Sequence, residues 1–164
     1  MLIARGHAVA DDIEILKVLR RHGVSFVIVG GHAVNFHGYI RATEDVDVVW
    51  QRSEEAEQRL LAALTELCAE YFGDDIDPIT GIERTHAVSL PHIRSSHMMI
   101  LVTRLGFLDL FDHVPGLPQE DLDKFIASSV ESNGLHYVSI DWLRKMKRAA
   151  GRTKDRLDLE ELGE

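Results

Sequence analysis

The stretch that decides the fold is FVIVGGHAVNFHGYIRATEDVDVVW, residues 26–50. It contains two apolar runs, 26–29 and 46–50, and such runs are typical of buried strands. The first run leads directly into Gly30 and Gly31, which precede a short helical pattern. Because glycine has no Cβ, a phosphate can approach the backbone there, and a following helix offers free N–H groups. The first half of the stretch therefore predicts a phosphate-binding turn.

The second half of the stretch carries two aspartates, Asp45 and Asp47, separated by one residue. Side chains two residues apart on a strand point to the same face, so we expect both carboxylates to leave the sheet side by side. Two like charges this close repel each other unless a cation lies between them. A hard ion that prefers oxygen ligands, such as Mg²⁺, suits the pair. A phosphate-binding turn together with a metal-binding pair indicates phosphoryl or nucleotidyl transfer.

Composition and charge limit the remaining possibilities. The chain has 164 residues, of which 45% are hydrophobic, and this favours one domain over 1–164. The sequence contains no apolar run of membrane-spanning length, and residues 1–12 have no signal-peptide pattern. Cys68 is the single cysteine, so a cytoplasmic location and a core thiol are expected. Nine histidines occur without HExxH, CxxC or another zinc-binding spacing, which argues against zinc.

The net charge of −9 argues against a surface that coats nucleic acid, but positive charge is concentrated in one segment. Seven of the 18 lysines and arginines lie within 144–156: Arg144, Lys145, Lys147, Arg148, Arg152, Lys154 and Arg156. This basic segment predicts a local anion site. The alternative is a solvated helix face, and we assign that alternative to the outermost charges.

Periodicity predicts an α/β fold with a small mixed sheet, flanking helices and a helical C-terminus. Asp11 is expected to cap the first helix, and Ser53 the longest one, which Gly73 would end. The predicted helices are 11–21, 31–37, a helix between 53 and 73, 121–129, 139–150 and 153–162. The predicted strands are 25–29, 45–50, 85–90, 98–103, 107–113 and 136–138.

These pieces resemble the nucleotidyltransferases of the DNA polymerase beta superfamily. The superfamily pattern is a Gly-Gly or Gly-Ser after a strand, an Asp-x-Asp on the next strand and a third acid on a later strand. Gly30-Gly31 matches the first part and Asp45-Val46-Asp47 the second. Asp109 in GFLDLF matches the third acid by the family pattern; Asp112 would lie on the opposite face.

The resemblance is strongest for the small stand-alone members of the abortive-infection and toxin–antitoxin type. Their closing motif is similar to LRKMKRAAGRTKDRLDLEEL, in which Lys147, Arg152, Lys154 and Asp155 fall on the characteristic positions. Arg41 lies in the approach to the acidic pair, as in such proteins. The resemblance extends from the first strand to the last helix.

The resemblance implies a metal-dependent reaction. A nucleoside triphosphate such as ATP would dock near Gly30 and Gly31, and Asp45, Asp47 and Asp109 would hold Mg²⁺ or Mn²⁺. A nucleoside monophosphate would pass to a hydroxyl of RNA (a tRNA end, for example) or of a protein, and pyrophosphate would leave. Lys147, Arg152 and Lys154 would neutralise phosphate charge, and Asp155 would orient one of these cations. A nearby-encoded partner protein in a toxin–antitoxin or phage-defence system is also expected.

Two rival functions stay open. Many active members have a serine where this chain has Gly31, and the chain has no large acceptor-holding domain. These departures favour a weakly active, antitoxin-like module that neutralises a partner protein. The other rival is a small-molecule nucleotidyltransferase of the antibiotic-modifying type, which only the net acidity supports.

Overall fold

A computed structural model describes residues 9–164 of the chain. The stretch 1–8, which includes His7 and most of the segment without a signal-peptide pattern, lies outside the described residues. In chain order, the elements are α1 (Val9–Arg21), β1 (Phe26–Val29), α2 (Gly30–Phe36), β2 (Asp45–Trp50), α3 (Glu54–Glu66), β3 (Glu70–Ile76), β4 (Glu83–Ala87), α4 (Leu90–Ser95), β5 (Met98–Thr103), β6 (Gly106–Phe111), α5 (Leu122–Ala127), β7 (Val130–Ser132), β8 (Leu135–Tyr137), α6 (Ile140–Ala150) and α7 (Thr153–Glu161).

The chain divides into two compact units. The first unit comprises 9–25 and Arg52–Asp109, and the second comprises Phe26–Gln51 and Leu110–Glu164. The boundary on the C-terminal side falls within β6. The single domain predicted from the sequence stays a prediction.

The first unit contains the strand order β4-β3-β5-β6. β3 pairs antiparallel with β4 and with β5, where Tyr71 lies opposite His86 and Leu101. Every second residue of β5 and β6 is buried, including Leu101 and Leu108, while the residues between them are exposed or half-buried. One face of these strands therefore belongs to the core, and the other is open to solvent.

The second unit contains the strand order β2-β1-β8-β7. β1 runs antiparallel to β2, with Val29 opposite Asp47, and parallel to β8. The core of this unit includes residues of β1, β2, α5 and α6, among them Val27, Phe125 and Leu143. The mixed sheet, the flanking helices and the helical C-terminus confirm the predicted fold class.

Several predicted boundaries are wrong. The predicted long helix ends at Glu66, and Tyr71, which was placed on its apolar stripe, lies on β3. The chain leaves the helix through Cys68, which has φ +51° and is exposed rather than a core thiol. α1 already includes Val9, so Asp11 lies in its first turn and is not the N-cap.

Other boundaries agree closely. β2 and β5 have the predicted limits, and the side chain of Ser53 accepts a hydrogen bond from the Ala56 N–H at the start of α3. The sequence prediction missed the short elements α4 and β7. Among the described residues, no helix combines the length and the apolar character needed to cross a membrane.

Candidate active site in the second unit

The two aspartates of β2 lie on one face of the strand. Asp45 and Asp47 are both half-buried. Val46, which lies between them, and Val48, which follows them, are fully buried. The pairing of Val29 with Asp47 brings the end of β1 beside the second aspartate. Since α2 begins with the next residue, Gly30, the acid lies against the turn from strand to helix.

Gly30 is where the backbone and the acid meet most closely. Its φ of +63° lies in the left-handed region, which favours glycine. A Cβ at this position would lie 2.0 Å from Asp47 Oδ2, far inside van der Waals contact. The missing side chain therefore leaves room for the Asp47 carboxylate. This is a different reason for the glycine than the phosphate approach considered from the sequence.

Gly31 has a similar role for a different neighbour. It is buried, and a Cβ would lie 2.5 Å from Thr43 Oγ1 and 3.2 Å from Arg41 Nη1. Thr43 Oγ1 in turn donates to the backbone oxygen of Asp45 at 3.2 Å. A serine at position 31 would therefore collide with Thr43 unless the segment before β2 moved. Thr43 is a contact residue of this turn that the sequence prediction did not assign a role.

A group of five charged side chains joins the segment before β2 to the two C-terminal helices, and we call it the ion cluster. Its members are Arg41, Lys147, Arg152, Asp155 and Asp158. Lys147 Nζ lies 2.9 Å from Asp155 Oδ1 and 2.9 Å from Asp158 Oδ2. Both aspartates are 0% exposed and Lys147 is 6% exposed. The lysine thus shares its positive charge between two buried carboxylates in the interior of the unit.

The two arginines complete the ion cluster from opposite ends. Arg41 donates from Nε to Asp158 Oδ1 at 2.7 Å and from Nη2 to Asp158 Oδ2 at 2.9 Å, a bidentate pair. Arg152 donates from Nε to Asp155 Oδ2 at 2.7 Å. Its backbone N–H reaches the same oxygen at 3.2 Å, so Asp155 also caps the start of α7.

The ion cluster shifts the acidity of its members. Burial raises the pKa of Asp155 and of Asp158, but hydrogen bonds and positive charge outweigh it, so both pKa values are lowered. For Asp155 the hydrogen bonds come from Arg152 and Lys147, and for Asp158 from Arg41 and Lys147. Both carboxylates are therefore ionised at neutral pH.

Arg152 connects the ion cluster with the acid on β2. Its side chain is 72% exposed although Asp155 holds one end of it. The hydrogen bond to Asp155 raises the pKa of Arg152, and the charges of Asp155, Asp47 and Asp158 raise it further. Asp47 is therefore close enough for its charge to act on the guanidinium. An exposed, oriented cation near a half-buried carboxylate is suited to binding a phosphate.

The other residues predicted for the site fall in different places. Lys154 is exposed on the first turn of α7. Lys147 contacts carboxylates in the interior, so its predicted phosphate contact has no support from its position. Asp158 was not predicted; its signal is the Asp-x-x-Asp spacing, which places both acids on one face of α7.

Asp109, the predicted third acid, belongs to the first unit. It is half-buried on β6, between the fully buried Leu108 and Leu110. It therefore lies on the open face of its strand, as the alternation in the sequence predicts.

The donor set on β2 fits a divalent cation in part. Two carboxylates on one strand face supply the oxygen ligands that Mg²⁺ prefers. Within residues 9–164, however, no group of three or more histidine, cysteine, aspartate or glutamate side chains is placed to hold a metal ion. Asp45 and Asp47 are thus the residues that fit, and a metal site with three acids stays a prediction.

Comparison with known proteins gives the fold but no close relative. No protein-family model and no curated protein matches the chain. Among solved structures, the lincosamide antibiotic adenylyltransferase LnuA in its lincomycin-bound form is similar, with a TM-score of 0.61 and 14% identity over 94% of this chain and 96% of that one.

Two further solved structures agree. The antibiotic-resistance factor ANT(2'')-Ia has a TM-score of 0.56 and 15% identity over 94% of this chain and 81% of that one. A candidate nucleotidyltransferase from Thermotoga maritima has a TM-score of 0.54 and 14% identity over 96% of this chain and 95% of that one. The chain thus has the fold of nucleotidyltransferases.

Proposed function

We propose that this protein transfers a nucleoside monophosphate from a nucleoside triphosphate to a hydroxyl acceptor and releases pyrophosphate. The observation that carries the proposal is the position of Asp47, which lies over Gly30 and within electrostatic reach of the exposed Arg152. This combination offers a carboxylate for a metal ion and a guanidinium for a phosphate in one place. The nucleotidyltransferase fold makes nucleotidyl transfer the reaction that best uses both.

In this proposal, Asp45 and Asp47 would hold Mg²⁺ or Mn²⁺, and the role of Asp109 as a third metal-binding acid stays a prediction. The bound ion would supply positive charge to the phosphates and lower the pKa of the attacking hydroxyl. Gly30 and Gly31 act by letting Asp47 and Thr43 pack against the turn, which fixes the direction of the Asp47 carboxylate.

Arg152 is the proposed phosphate-binding residue, because its guanidinium is exposed and can form a bidentate contact with phosphate oxygens. Asp155 orients it, as the sequence predicts. Lys147 has an indirect role, because its ammonium contacts both Asp155 and Asp158 and so helps to hold Asp155 in place. Lys154 is exposed and can add positive charge near the phosphates.

The acceptor is RNA, a protein hydroxyl or a small molecule. The structure of LnuA holds lincomycin, and ANT(2'')-Ia is an antibiotic-resistance factor. Their similarity in fold gives the small-molecule alternative support that composition alone does not provide. The role in a toxin–antitoxin or phage-defence system, with a nearby-encoded partner protein, stays a prediction.

The proposal is tested by incubating the protein with Mg²⁺ and each α-labelled nucleoside triphosphate, together with tRNA, a lysate or lincomycin. We expect label transfer with release of pyrophosphate, and loss of both in Asp47→Asn. Glu44→Gln is the matched control, because it removes the same charge one residue before β2 at an exposed position. No transfer by the wild type, with tight binding to a protein encoded nearby, would instead establish the antitoxin-like module.

A further inference from the structure

The segment between α2 and β2, residues 37–44, belongs to neither a helix nor a strand. Toward its end, half-buried residues alternate with exposed ones. Arg41 and Thr43 are half-buried, whereas Ala42 and Glu44 are exposed. Because no hydrogen-bonded ladder holds this segment, the side chains that face the interior decide where it lies. They thereby also decide where β2 begins.

Asp45 depends on this segment more than Asp47 does. The pairing of β1 with β2 ends with Val29 opposite Asp47, so it does not reach Asp45. Asp47 is further confined by its close approach to Gly30. Asp45 instead follows the segment directly, and its backbone oxygen accepts a hydrogen bond from Thr43 Oγ1 at 3.2 Å. A shift of the segment would therefore move Asp45 before it moves Asp47.

Arg41 holds the segment with both its backbone and its side chain. Its backbone N–H donates to Asn35 Oδ1 at 3.0 Å, and its Nη1 donates to the backbone oxygen of Ala42 at 3.1 Å. The rest of the guanidinium forms the bidentate pair with Asp158, in which the side chains are 13% and 1% exposed. Hydrogen bonds between charged groups are strong where so little water competes for them, so this pair anchors the segment.

The other end of this anchor belongs to the C-terminal helices. Asp158 lies on α7, and its Oδ2 is 2.9 Å from Lys147 Nζ of α6. Arg41 also lies against the glycine turn, since a Cβ at Gly31 would be 3.2 Å from Arg41 Nη1. Arg41 therefore contacts both the glycine turn and α7, and all of these residues belong to the second unit.

We propose that Arg41 is a positioning residue that acts through Asp45. Its pair with Asp158 fixes the segment so that Asp45 lies beside Asp47, where the two carboxylates can share a divalent cation. α7 thereby controls the metal affinity of the pair, although the proposed ligands lie on β2. This inference rests on the proposed function, which gives the two aspartates their metal ion. By linkage, metal binding should in turn stabilise the packing of α7.

Arg41→Lys tests the inference, because lysine keeps the positive charge beside Asp158 but cannot form a bidentate pair. The probe is Mn²⁺, and electron paramagnetic resonance of the free ion measures its binding. We expect the Mn²⁺ affinity to fall about tenfold, which is typical of losing a group that orients a metal ligand. Hydrogen exchange should become faster at the backbone amides of 41–45. Added Mn²⁺ should slow exchange in α7 of the wild type more than in the variant.

Two controls separate positioning from stability. Arg156→Lys makes the same replacement at an exposed position of α7, and its Mn²⁺ affinity should equal that of the wild type. Phe125→Leu lowers the free energy of unfolding of the second unit, because Phe125 is 0% exposed and its ring packs against Trp142. While it is folded, this variant should also bind Mn²⁺ as the wild type does.

Unchanged Mn²⁺ affinity in Arg41→Lys would overturn the inference. An equal loss in Phe125→Leu would overturn it too, because Arg41 would then act only through stability. If the wild type transfers nucleotide and Arg41→Lys binds Mn²⁺ unchanged, the inference fails and the proposed function holds. Mn²⁺ binding that depends on Arg41 in a protein that transfers no nucleotide would refute the proposed function alone. A wild type that binds no Mn²⁺, with or without ATP, would refute both.

Discussion

Two pairs of aspartates in the second unit have opposite environments. Asp155 and Asp158 lie in the interior, and each contacts two cationic side chains of the ion cluster. Asp45 and Asp47 lie half-buried on one strand face, with the glycine turn beside them. The comparison teaches that burial among paired cations marks carboxylates that hold the fold together, whereas half-buried carboxylates on a strand face stay within reach of a ligand.

Removing the central cation of the ion cluster should have the largest effect. Lys147→Met leaves two buried carboxylates without their shared ammonium, and we expect it to lower the free energy of unfolding by about 3–5 kcal/mol. Urea denaturation measures the change. The control is Lys154→Met, an exposed position in the same segment, for which we expect about 0.5 kcal/mol or less. Equal effects of the two substitutions would show that the ion cluster does not stabilise the unit.

Gly30→Ala probes the other aspartate pair. The new methyl group collides with the Asp47 carboxylate, and the alanine must keep a left-handed backbone. We therefore expect the free energy of unfolding to fall by about 2–4 kcal/mol. Nucleotide binding should weaken too, because Asp47 is displaced.

Gly81→Ala separates the two causes. Gly81 has φ +70°, close to that of Gly30, but no atom lies within 4 Å of an added Cβ. In Gly81→Ala, the free energy of unfolding should fall by about 1–2 kcal/mol, because only the left-handed backbone is strained. A loss as large as that of Gly30→Ala would mean that the contact with Asp47 contributes nothing.

Acid should remove the stability that the buried pair, Asp155 and Asp158, contributes. The pKa values of Asp155 and Asp158 are lowered in the folded state, so on acidification the unfolded chain takes up protons at these groups first. Their contribution to stability is complete above the ordinary aspartate pKa of about 4 and is lost as the pH falls further, through the lowered values. Urea midpoints measured down the pH scale test this. If the urea midpoint stays constant when the pH is lowered past this value, the result would contradict the ion pairs described here.

Asp45→Asn should have the smallest effect, and of opposite sign. Removing one of two neighbouring like charges is expected to stabilise the metal-free protein by about 0.5 kcal/mol or less. Added Mg²⁺ should raise the melting temperature of the wild type and leave that of the variant nearly unchanged. A lower melting temperature of the metal-free variant would count against repulsion between Asp45 and Asp47.

The sequence predicts local features well when one short pattern determines them. β2 alternates apolar and acidic residues, and Ser53 begins α3 with three glutamates in the first turn. The end of α3 was not predictable in this way. Leu60, Leu64, Leu67 and Tyr71 keep helical spacing, but the backbone turns at Cys68 and Tyr71 pairs as a strand residue.

The ion cluster could not be predicted from sequence patterns. Arg41 and Asp158 are 117 positions apart, so no local signal relates them. Lys147 reads as one more charge of a basic segment until the fold buries it between two acids. Likewise, Gly30 identifies a turn, but the carboxylate that requires its missing side chain comes from another strand.

The single cysteine and the two tryptophans give each unit its own spectroscopic reporter. Cys68 is exposed in the first unit and accepts a thiol-reactive dye, whereas Trp50 and Trp142 both belong to the second unit. Dye emission and intrinsic fluorescence therefore follow the two halves of the molecule separately during denaturation, with no engineered substitution. Coincident transitions would mean that both units unfold together as the single domain predicted from the sequence, and separate transitions would mean two domains.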